Sequence, residues 1–125
     1  MAPGRACISC HEDSNAASGE MDAPIFAFAG TAYPTAHEPM DCVASGSEGA
    51  EIEVTDAMGK VFTQPANSSG NFFEEDIVGF TFPYRATIRF QGRERRMLLP
   101  QIIGDCNSCH SETGDQDAPG RILPP

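Results

Sequence analysis

The chain has 125 residues, 40% of them hydrophobic, and 8 Lys plus Arg against 18 Asp plus Glu, for a net charge of −10. That length makes one domain, 1–125, with a modest core, and the acidic balance excludes nucleic acid and anionic membrane surfaces as partners. Twelve glycines and ten prolines argue against a helical bundle, and no apolar run approaches a transmembrane length.

In chain order, the N-terminal segment, 1–24, is small and polar from Cys7 to about Ala23 and reads there as a loop or a single helical turn, ended by Pro24. Ile25 to Tyr33 is aromatic-rich and reads as a buried strand. Pro34 to Cys42 holds too many breakers for regular structure and predicts a loop carrying His37. Ala50, Ile52 and Val54 alternate with Glu51, Glu53 and Thr55, the period of a strand with one buried face. Asp56 to Lys60 predicts a turn, Val61 to Thr63 the returning hairpin partner, and Asn71 to Phe73 a further strand. Tyr84, Ala86, Ile88 and Phe90 alternate with Arg85, Thr87, Arg89 and Gln91, and Gln91-Gly92-Arg93 turns the chain into Glu94 to Leu99. Short strands with turn signals between them predict a mainly β protein, a small antiparallel β-sandwich over 25–99, with loops at both termini.

Cys7-Ile8-Ser9-Cys10-His11 near one end repeats as Cys106-Asn107-Ser108-Cys109-His110 in the C-terminal segment, 100–125. With 5 Cys and 3 His in the chain, chance produces one Cys-x-x-Cys-His in about two hundred such sequences. Two thiols three positions apart match the two vinyl groups of one porphyrin, and the adjoining imidazole then meets the iron from the same side. The competing zinc cage of four thiolates leaves both histidines unexplained.

On these motifs the chain resembles the dihaem c-type cytochromes. The resemblance implies two covalently bound haem c groups, held by Cys7 and Cys10 with His11, and by Cys106 and Cys109 with His110. It also implies electron transfer rather than enzymatic turnover. Between the motifs, the segments around Asp56-Ala57-Met58-Gly59-Lys60 and Gly70-Asn71-Phe72 resemble the carboxypeptidase regulatory-like, or transthyretin-like, β-sandwich, an Ig-like scaffold in which the termini often lie at opposite poles. Thioether attachment takes place outside the cytoplasm, so an extracellular or periplasmic location is expected, with a leader peptide absent from this sequence.

Each iron has one motif histidine, leaving His37 as the one spare imidazole, either a distal ligand, expected on the first haem because that motif is nearer in sequence, or a solvated surface histidine. The other iron is left with methionine, a histidine from another copy, a rarer donor or an open position; Met97 and Met40 are the better methionines, ahead of Met21 and Met58, although methionine more commonly fills core gaps. Cys42 is the odd thiol, either a buried small hydrophobe or half of an intermolecular disulfide. Arg93, Arg95 and Arg96 form the basic cluster, suited to a solvated strand face, to haem propionates or to an acidic neighbour.

The function expected is electron transfer to redox partner proteins or extracellular acceptors. A sharper form is a head-to-tail homopolymer, an extracellular conductive filament in which the tail haem of one copy meets the head haem of the next. A haem enzyme of the dihaem peroxidase type and a redox binding module of a surface complex are the alternatives.

Overall fold

The computed structural model describes residues 2–39 and 47–125, which leaves Met40 and Cys42 outside the described residues. The protein is mainly β: two antiparallel sheets pack together like a sandwich, with short helices near the termini. In chain order the elements are α1 (Cys7–Ser18), β1 (Phe28–Thr31), β2 (Glu51–Thr55), β3 (Val61–Pro65), β4 (Asn71–Glu74), β5 (Arg85–Phe90), β6 (Arg93–Arg96) and α2 (Cys106–Cys109).

β2 is flanked by β3 and β5, and β6 closes the four-stranded sheet. Alternation in β2 buries Ile52 and Val54 while Glu51 points to solvent, as a one-sided sheet requires. The β2–β3 turn is built by the buried Asp56, whose Oδ1 accepts the Met58 and Lys60 N–H groups at 2.9 Å each and whose Oδ2 accepts Thr81 N–H at 3.1 Å. A single carboxylate thus closes the hairpin and ties it to the segment that leads into β5. At β5–β6, Gln91 and Gly92 both have positive φ, the twist that a two-residue hairpin demands. β6 is exposed along its whole length. Arg96 pairs there with Glu94, and Arg89 with Glu53 and Glu94, so the basic cluster is in part a solvated ladder of ion pairs, each contributing little.

β1 pairs with β4, Phe28 opposite Glu74 through Thr31 opposite Asn71. Phe28 and Phe72 from this pair meet Ile52, Val54, Phe62 and Ile88 from the larger sheet in one core. Phe28 lies 5.5 Å from Phe80 and 6.4 Å from Tyr84 between ring centroids. Each buried ring contributes about 2 to 3 kcal/mol relative to exposure.

Three local readings differ. The buried strand expected over 25–33 is regular only across Phe28–Thr31, with Ala27 N–H on Glu74 O and Ala32 N–H on Gly70 O at its ends, and the one expected over 94–99 spans Arg93–Arg96. The first motif opens a helix of 12 residues rather than a loop or one turn. No apolar stripe announces that helix, and Ala6 at its N-cap makes no side-chain bond; the cap arrives from the far end of the chain. Gly19 ends it in the left-handed conformation, its N–H on Asn15 O. Among the described residues, no helix is long and apolar enough to cross a membrane.

Candidate functional site

The two motifs begin two helices that touch. Asp105, 5% exposed, accepts the Cys7 N–H on Oδ1 at 2.9 Å and the Ser9 N–H on Oδ2 at 3.0 Å, with the Ser9 hydroxyl at 3.2 Å. A carboxylate from residue 105 therefore caps the helix that starts at residue 7, satisfying its first donors and its positive end. The same residue precedes α2, where its carbonyl accepts the Ser108 N–H and hydroxyl.

Asn107, inside the second motif and equally buried, completes the joint. Its Oδ1 accepts Thr31 N–H at 3.0 Å, and its amide donates to Arg5 O at 2.8 Å and Thr31 Oγ1 at 3.0 Å, standing 3.6 Å from Cys7 Sγ. Thr31 Oγ1 accepts the Gly4 N–H and donates to Asn71 Oδ1. The expectation that the termini lie at opposite poles does not hold: the sandwich brings both motifs to one place, on the β1 side. β1 allows the approach because Gly30 has no side chain; a Cβ there would stand 2.9 Å from Cys106 Cβ and 2.6 Å from Phe72 Cζ.

Of the two first cysteines, Cys7 is buried and Cys106 half-buried against the core. Cys7 packs with Phe26 and Ala29, and burial, then the Asp105 charge, pushes its thiol up to about 11. Cys106 lies 3.8 Å from the Tyr84 hydroxyl, which donates to Ile103 O, and its thiol donates to Gly104 O at 3.6 Å; burial pushes it up to about 12. Both raised values keep the thiols neutral well above neutral pH. All four described cysteines are free, and among the described residues no three His, Cys, Asp or Glu side chains converge on a metal position. In the protein free of any cofactor, alkylation of Cys7 and Cys106 at pH 8 should run roughly a hundredfold slower than that of an ordinary thiol and accelerate as pH rises toward 11. Mass-resolved labelling checks this, and uniform fast labelling of all four cysteines would show that neither thiol is sheltered.

All three histidines share one arrangement. His11 Nδ1 lies 2.6 Å from Pro24 O, His37 Nδ1 2.7 Å from Glu112 O and His110 Nδ1 2.9 Å from Gly120 O. A carbonyl can only accept, so each Nδ1 carries a hydrogen and, in the neutral ring, each Nε2 has the lone pair. A backbone carbonyl behind Nδ1 is the usual support of a metal-bound imidazole, fixing tautomer and ring direction. His11 also packs on Phe26 at 5.0 Å, and a hollow of about 40 Å³ opens beside it between Ala2, Arg5, Cys7 and Cys10.

His37 stands beside the second motif's segment. Gly120, at φ +130°, has Ala36 O and the His37 ring against its Cα, a backbone state and a closeness that exclude any side chain. Arg121, 5% exposed, donates to Glu38 O at 3.0 Å, Gly4 O at 3.1 Å and His110 O at 3.4 Å, lies 4.8 Å above the Tyr33 ring, and gives its N–H to Ala36 O. Met97 is half-buried beyond β6, its N–H on Ala86 O, whereas Met21 and Met58 are each 80% exposed; the structure brings none of them to a histidine.

Asp105, Asn107, Gly30, Gly120 and Arg121 were not singled out from the sequence. Only Asp105 carried a local signal, an aspartate just ahead of a helical turn. No family model, curated protein or solved structure matches the chain.

Proposed function

We propose that the protein is a dihaem c-type cytochrome that passes electrons outside the cytoplasm. The observation that carries this reading is the set of three imidazoles, each with Nδ1 on a backbone carbonyl and Nε2 left to bind, two of them directly after a Cys-x-x-Cys pair. Haem bound at each motif supplies reversible one-electron exchange at iron. The chain's residues do the rest: Cys7 with Cys10, and Cys106 with Cys109, tether; His11 and His110 ligate; Pro24 O and Gly120 O hold the imidazoles in direction.

The contact between motifs adds a functional consequence. Asn107 reaches Cys7 Sγ and directly follows Cys106, so the two attachment points are neighbours and electrons would pass between haems of one chain. A filament would then grow by contact between such pairs, through a face other than opposed termini. Leu98, Leu99 and Ile102, at 88%, 67% and 72% exposure, favour contact with another apolar surface.

The test is the mass of the denatured holoprotein from a host that exports it and attaches haem. We expect the mass of two haems to survive denaturation, C7S/C10S to remove one and C106S/C109S the other. An unmodified polypeptide from that host would end the reading.

A further inference from the structure

We infer that His37 and His110 serve different irons, and that His37 completes the site begun by His11; this rests on the haem reading above. Gly120 lies behind both imidazoles. Its oxygen accepts His110 Nδ1–H at 2.9 Å, and a Cβ built on it would stand 3.3 Å from both Cε1 and Nδ1 of His37. The Cβ and carbonyl oxygen of one residue are at most about 3.5 Å apart. His37 Nδ1 is therefore within about 7 Å of the oxygen that holds His110.

Coordination geometry asks for more. An imidazole nitrogen binds a first-row metal at about 2 Å, and the ring carries Nδ1 about 2 Å further from the metal. An iron on His110 Nε2 thus sets the Gly120 oxygen roughly 6 Å from the porphyrin plane, on the His110 side, and a trans imidazole would carry its own Nδ1 about 4 Å beyond the plane on the opposite side. The separation required is about 10 Å, against at most about 7 Å found. His37 stands behind His110, not across a porphyrin from it.

One other iron remains in the chain, that of the first motif. Arg121 ties both neighbours of His37, through Ala36 O and Glu38 O, to Gly4 O, three residues ahead of Cys7. With three histidines in the chain, the second iron receives none beyond His110. The two sites then differ in kind: bis-histidine at the first motif, histidine with a non-histidine or open position at the second, and hence unequal potentials.

The experiment uses oxidised holoprotein whose two haems are verified by mass, read by near-infrared magnetic circular dichroism and paramagnetic resonance. We expect one bis-histidine haem per chain, unchanged on dilution, and none in His37→Ala. C106S/C109S, which keeps the first haem, should retain the bis-histidine signal and lose it when His37→Ala is added. If the cysteine variant does not fold, His110→Met in the two-haem protein decides the same point: the signal survives it when His37 faces His11 and vanishes when His37 faces His110. A signal lost with His110→Met, carried by C7S/C10S, or falling with dilution because a second copy supplies the ligand would overturn the assignment. Absence of haem mass would instead overturn the proposed function.

Discussion

Asp105→Ala is expected to lower stability by about 3 kcal/mol, because it strips the cap from α1 and leaves a sheltered helix terminus with two orphan donors. The carboxylate holds Cys7 N–H, Ser9 N–H and the Ser9 hydroxyl at 2.9 to 3.2 Å. Bonds to a buried charge are each worth more than the ~1 kcal/mol of a neutral pair, and the positive end of α1 adds a smaller share. Asp105→Asn keeps an acceptor and the shape but loses the charge, so about half the loss should remain. Urea denaturation of the three proteins measures the series. A change below about 1 kcal/mol for the alanine variant would mean that α1 is held by its own sequence and not by the far end of the chain.

Arg121→Met is the second large effect. The substitution keeps apolar bulk beside Tyr33 but removes the donors to Glu38 O, Gly4 O and His110 O. Burying a guanidinium costs free energy that its partners must offset, so the expected net loss, about 2 kcal/mol, is less than the sum of its bonds. The distinguishing readout is spectroscopic: both histidine sites should broaden, since one side chain braces the carbonyl of His110 and the loop of His37. Arg121→Lys, with a compact head that cannot span three carbonyls, should fall between the two. Wild-type melting and unchanged spectra in Arg121→Met would remove the residue from any positioning role.

Much of the sandwich could be read from alternation alone. Ile52 and Val54, and Ile88 in β5, lie on a buried face where the period of two put them, and the Gln91-Gly92 turn sits where glycine allowed positive φ. α1 escaped that reading because its signal is not local: Ala6 offers no cap, the helix has no apolar side, and the carboxylate that starts it is 98 residues away. What lines the free edge of β1 was equally hidden, since the Thr31 N–H there is taken by the side chain of Asn107.

For the candidate site the division is the same. Residue types and their spacing at Cys7 to His11 and Cys106 to His110 are a property of the chain itself, and so is the supply of a single further histidine. What the tertiary structure decided is that the two motifs meet, that Asp105 and Asn107 join them, and that one glycine stands behind both His37 and His110. The contacts of Asp105 and Asn107 with Cys7 span 98 and 100 residues of sequence. No period or spacing encodes them, because they come from two packed sheets closing the distance between ends that carry no mark of each other.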